Sequence, residues 1–142
     1  MVAPVIEDQF VATGLATFEY KNYAFLNENS VLAAAAAWCA DDQGKFWEYH
    51  DLIFANADNP NLPGLTRATH DLFAEYLDLD MAAFGSCMDD HVHEADVIAE
   101  REEATALGVG GTPTILLNGE IVTNIQTYDE LLQLIEEAAN EG

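Results

Sequence analysis

Positive charge is scarce in this sequence: Lys21, Lys45, Arg67 and Arg101 stand against 26 acidic side chains, a formal net charge of -22 over 142 residues. Such a field repels a phosphate backbone or an anionic bilayer, so nucleic acid is not an expected partner. It also repels itself, which salt screens, and a saline habitat and a merely acidic soluble protein both fit the composition. Long apolar runs are absent too. No stretch reaches the ~20 residues that span a bilayer, and Met1 to Gln9 lacks the basic start and apolar run of an export signal. Cysteine is limited to Cys39 and Cys87, 48 positions apart, and no Cys-x-x-Cys occurs. His91 and His93 are spaced by two, off a common helix face, and no third ligand follows at helical spacing. No metal site and no cofactor are expected.

Half of the residues are apolar or aromatic, enough for the core of one domain and short of two. Ile6 and Phe10, with Val2 before them, recur every four residues ahead of Thr13-Gly14, which reads as the tail of a helix. Leu15 to Tyr20 mixes Thr, Phe and Tyr straight after the glycine and predicts a strand. Asn27 to Ser30 is a capping cluster before Val31 to Ala40, which contains five consecutive alanines and predicts a strong helix. Gly44 interrupts it, and Phe46, Trp47, Tyr49, His50, Ile53 and Phe54 restart a helical pattern to Asn56. The aromatic stripe reads as core, with His50 a packed histidine within it. Asp58 to Gly64 is a loop. Leu65 to Leu77, Asp80 to Asp89 and His91 to Leu107 predict three more helices, with Asp80 as a cap and Gly108 as a stop.

The last third changes character. Thr114 to Leu117 and Glu120 to Val122 flank Asn118-Gly119, the dipeptide of a tight hairpin. Thr127 to Glu130 is a capping box, and Leu131, Leu134, Ile135 and Ala138 form the apolar face of a closing helix. The order of helix, strand, helical block, hairpin and helix predicts an α/β architecture with a helical insertion.

Two segments carry a family resemblance. Cys39-Ala40-Asp41-Asp42-Gln43-Gly44-Lys45-Phe46-Trp47-Glu48-Tyr49-His50-Asp51 closely resembles the helical-insertion motif C-A-x-x-Q-G-K-F-W-E-Y-H-D of DsbA-like disulfide oxidoreductases. Leu107-Gly108-Val109-Gly110-Gly111-Thr112-Pro113-Thr114, with Leu117-Asn118-Gly119 after it, resembles the family's L-G-V-x-G-T-P-T loop. Phe84, Cys87 and the Phe10 to Gly14 segment extend the likeness over nearly the whole chain. It implies a thioredoxin-like fold in one domain, residues 1–142. Residues 1–26 would hold the end of the first core helix and a strand, 30–107 the helical insertion and following helix, and 112–142 the proline loop, hairpin and terminal helix.

By spacing alone Pro113 is an ordinary turn proline opening a strand; the resemblance implies instead a cis bond facing the active site. In that role Gly111, Thr112 and Pro113 form the substrate-binding loop, where the Thr112 backbone pairs with an extended thiol substrate like an added strand. The implied function is disulfide exchange with cysteine-containing protein substrates and a redox partner protein, in an extracytoplasmic compartment, periplasmic or cell-surface. The chemistry needs two cysteines spaced by two at a helix start. Cys39 and Cys87 cannot be that pair, so no catalytic residue is assigned. They are a structural disulfide, two buried free thiols, or a redox-sensing pair; an oxidising compartment favours the bridge. In relatives the first core strand and the dithiol precede the segment matching Val2 to Gly14. The chain is therefore expected to be amino-terminally truncated, with its first core strand missing and self-association through open strand edges. The other reading is a natural chain that shed its redox centre and kept a binding or chaperone-like role.

Overall fold

A computed structural model describes residues 3–141; Met1, Val2 and Gly142 lie outside the described residues, and with them the first position of the opening apolar stripe. The chain divides into two compact units, residues 22–108 and residues 1–21 with 109–142.

The 22–108 unit is helical. Asn27 accepts a hydrogen bond from Ser30 N–H and starts α1 at Glu28, so the capping cluster becomes the first turn. Helix α1 (Glu28–Asp41) buries Ala33, Ala34, Ala36, Ala37, Cys39 and Ala40. These small side chains cover more than one face, and four helices pack on it: α2 (Phe46–Asn56), α3 (Arg67–Tyr76), α4 (Met81–Asp89) and α5 (Glu94–Ala106). The turn from α1 to α2 needs a left-handed residue. Gly44 supplies it at φ 71°, with Gly44 N–H donating to Asp41 O and Lys45 N–H to Ala40 O.

The main core joins Ala36, Ala37, Ala40 and Cys39 to Tyr49, Phe73, Phe84 and Met88. The aromatic stripe of α2 enters it only in part. Tyr49 is fully buried, whereas Phe54 is 55% exposed and Trp47 40%, and His50 is half-buried against Phe46, Trp47 and Phe54. The buried histidine is His70. A run of aromatics cannot all face inward from a helix of 3.6 residues per turn.

The other unit begins with a helical turn, Ala3–Ile6, that widens into a π-helical stretch, Glu7–Val11. Its Ile6 and Phe10 pack with Leu131 and Ile135 of α6 (Tyr128–Glu141), and Ala16, Phe18, Leu117, Ile125 and Leu132 border that cluster. Strands β1 (Leu116–Leu117) and β2 (Glu120–Ile121) form an antiparallel ladder. Asn118 and Gly119 sit at φ 51° and 85°, the doubly left-handed form of a two-residue hairpin. Thr127 and Glu130 exchange side-chain to backbone hydrogen bonds of 3.3 and 3.2 Å across the start of α6, the predicted capping box.

Three predictions need correction. Leu15 to Tyr20 is not a β-strand; among the described residues β1 and β2 form the one ladder. Strand propensity becomes a strand only beside a neighbour that completes the ladder. The helix predicted from His91 starts at Glu94: His91 takes φ 52° and ends α4, with Val92 N–H donating to Cys87 O and His91 N–H to Met88 O. Helix α3 starts at Arg67, two residues later than its pattern, because Thr66 is still extended.

Candidate functional site

The 109–114 loop follows Gly108, where φ is 88°. Val109 is buried, and the chain then turns outward through Gly110 and Gly111. Thr114 Oγ1 donates to Gly111 O at 2.6 Å and closes the turn. The Thr112–Pro113 peptide bond is cis, and both residues are exposed. A side chain added at Gly110 or Gly111 would meet no atom within 4 Å. Among the described residues nothing hydrogen-bonds the Thr112 N–H or C=O. The loop therefore offers one open backbone edge of the kind an extended peptide pairs with.

A second constellation lies in the 22–108 unit. Cys39, in α1, and Cys87, in α4, form a disulfide with Cα atoms 5.9 Å apart. Cys39 is buried and Cys87 half-buried. Asp42 Oδ2 lies 3.8 Å from Cys87 Sγ and 2.8 Å from His93 Nε2, while His93 Nδ1 is 3.1 Å from Asp96 Oδ2. Partial burial pulls the His93 pKa down, but the hydrogen bonds and charges of Asp42 and Asp96 outweigh it and hold the ring above its ordinary value. The Trp38 ring lies beside the imidazole, its Nε1 donating to Glu100 at 3.1 Å. Trp38, Asp41, Asp42, His93, Asp96 and Glu100 line one open groove.

The family model described as Thioredoxin matches residues 2–137. The chain belongs to the thioredoxin family. Among curated relatives of this thioredoxin-family chain, Disulfide bond formation protein D of Bacillus subtilis is 28% identical over 95% of the chain. Na(+)/H(+) antiporter NhaA 3 of Salinispora tropica is 38% identical over 62% of it. The chain spans 62% of the length of the first and 13% of the second. Oxidised BdbD from Bacillus subtilis superposes with a TM-score of 0.83 at 23% identity, over 96% of this chain and 76% of that one. A thioredoxin-like oxidoreductase from Silicibacter pomeroyi gives 0.64 at 24%, over 87% and 68%. The fold is thus thioredoxin-like, mostly helical with a small antiparallel sheet, and the DsbA-like assignment drawn from the two motifs holds.

In this thioredoxin-family chain the insertion motif builds structure. Cys39 bridges α1 to α4, Ala40 fills the core and Gly44 makes the turn. The Gln43 side chain grips Asp80 from both sides, accepting from its N–H at 2.7 Å and donating to its C=O at 3.2 Å. His91 and His93 have separate partners: His91 meets Glu94, and His93 meets Asp42 and Asp96. What sequence reasoning missed is the company of the disulfide. Sulfur atoms of Cys39 and Cys87 and a ring nitrogen of His93 all lie within 4.8 Å of one another. The three-residue spacing from His93 to Asp96 was the one local signal of it.

Proposed function

We propose that this chain is a protein thiol-disulfide oxidoreductase domain, with Gly111, Thr112 and Pro113 as the loop on which a cysteine-containing polypeptide lies. The supporting observation is the Thr112 backbone, exposed and without a partner in a loop whose outer face is open. A substrate strand would accept from the Thr112 N–H and donate to its C=O. Proteins handled this way, and the redox partner that resets the dithiol, belong to an oxidising, extracytoplasmic compartment; no helix of the described residues is long and apolar enough to cross a membrane. In this reading residues 1–142 are one domain, with the 30–107 insertion following the opening segment in the sequence and preceding the 112–142 docking part. Disulfide exchange itself needs an activated thiolate, and this chain's two cysteines are bonded to each other.

A second reading, a redox-inactive binding or chaperone-like module, is favoured by that same bond. One comparison separates the two: exchange activity and unfolded-peptide binding of the 142-residue chain and of the longest in-frame product read from upstream of the Met1 codon. Exchange by the longer product alone supports the oxidoreductase. Peptide binding by both, with exchange by neither, supports the module. Gly111→Val, which adds a branched side chain in open space, should weaken peptide binding severalfold at unchanged melting temperature; unchanged binding would remove the loop from either reading.

A further inference from the structure

We propose that Cys39, Cys87 and His93 form a redox-gated metal site: once the disulfide is reduced, both sulfurs and His93 Nε2, with Asp42 as fourth ligand, hold one zinc-type divalent ion. Re-forming the disulfide expels it. The inference does not rest on the oxidoreductase reading.

The donor set is the one zinc prefers, thiolate and imidazole with a carboxylate. It is assembled from α1, the turn after it, α4 and the entry to α5. The three soft or borderline donor atoms lie within 4.8 Å of one another. Zinc–sulfur and zinc–nitrogen bonds of about 2.3 and 2.0 Å in a tetrahedron put ligand atoms roughly 3.5 Å apart. Opening the S–S bond moves the sulfurs toward that spacing, so shifts of ~1 Å complete it. The two imidazole nitrogens are already sorted. Nδ1 faces Asp96 at 3.1 Å, the outer carboxylate that orients a metal-bound histidine. Nε2 faces Asp42, whose Oδ2 is also 3.8 Å from Cys87 Sγ, so one carboxylate oxygen neighbours both the nitrogen and one of the sulfurs. A disulfide that serves only as a staple requires none of these neighbours. The open acidic groove leading to His93 and Asp42 supplies the entry path a metal site needs.

The electrons balance simply. A dithiol reductant gives two electrons and two protons to the Cys39–Cys87 bond and becomes a disulfide; the ion displaces the two thiol protons as it binds. A disulfide oxidant reverses the exchange, taking two electrons as the S–S bond re-forms and the ion leaves.

The test uses the full chain and Co2+ as an optical probe, after dithiothreitol reduction and anaerobic removal of the reductant. The reduced chain should take up one Co2+ with thiolate-to-cobalt charge-transfer bands and the visible bands of a tetrahedral ion, and Zn2+ should displace it. The oxidised chain should show neither. His93→Ala, which spares the disulfide, should abolish the tetrahedral spectrum, and Asp96→Asn should loosen binding about 10- to 100-fold. Circular dichroism follows the fold. If the reduced chain unfolds without metal, refolding by Zn2+ supports the site. A reduced chain that is neither coloured by Co2+ nor refolded by Zn2+ overturns the proposal. So does equal binding by the oxidised chain, or a His93→Ala spectrum identical to the parent's.

Discussion

His70 is a histidine that burial holds away from its ordinary chemistry. It is fully buried, and Tyr49 Oη lies 3.0 Å from both its Nδ1 and its carbonyl oxygen. The carbonyl can only accept, so the tyrosine proton goes there and Nδ1–H donates back to the hydroxyl oxygen. Nε2 is then a bare acceptor, and it is the atom without a partner among buried side chains of the described residues. Burial lowers the His70 pKa from 6.5 to about 4, against a smaller upward pull from Asp71. Burial also pushes the Tyr49 hydroxyl far above its usual range. The sign follows. Above pH 6.5 the ring is neutral folded or unfolded; between about 6.5 and 4 only the unfolded chain takes up the proton, so stability falls through that window. The loss reaches about 3 kcal/mol, and the slope of stability against pH over this range should flatten in His70→Asn relative to the parent. An unchanged slope would assign the acid sensitivity elsewhere. The sequence pointed to His50 instead, because an aromatic run advertises a stripe. Nothing local marks a histidine buried against Tyr49 of α2, 21 positions away.

The elements were legible wherever their own residues close the structure. Asp80 accepts from Ala82 N–H and Ala83 N–H at 2.9 and 3.0 Å, and Thr127 with Glu130 caps α6 reciprocally; both were readable from residue type and spacing. Thr127→Ala should cost about 1 kcal/mol in a denaturant titration. Gln43 was visible only as a motif letter. Gln43→Ala removes both bonds to the Asp80 backbone and should cost about 1–3 kcal/mol; Gln43→Glu should not rescue it, because a carboxylate cannot donate to the Asp80 carbonyl. A denaturant titration measures the loss, and a Gln43→Ala midpoint equal to the parent's would show the two bonds to contribute nothing. Leu15 to Tyr20 and the start of α5 were misread because their outcome depends on what lies beside them: a ladder partner for the first, the wrap of α4 around Cys87 for the second.

At the scale of the molecule the charge and the disulfide set stability. A net charge of -22 favours expansion, so the melting temperature should rise with salt over the range where the Debye length falls from about 30 to 3 Å. Flat behaviour would show the acids to be spread too widely to matter. Added salt, by screening repulsion, should strengthen any self-association of this acidic chain in sedimentation runs. Reducing Cys39–Cys87, which closes a 48-residue separation, should cost about 4 kcal/mol in metal-free buffer. The thioredoxin-like architecture was legible because two motifs span both units, whereas the surroundings of the disulfide, drawn from residues up to 54 positions apart, were not. Helix α1 sets a different limit. Ala36 and Ala40 show no exposed surface at all, and the helices packed on α1 leave them no room to grow. In a library of every single substitution, the acidic exterior should accept most replacements, while one added methyl at either alanine should be depleted among folded survivors.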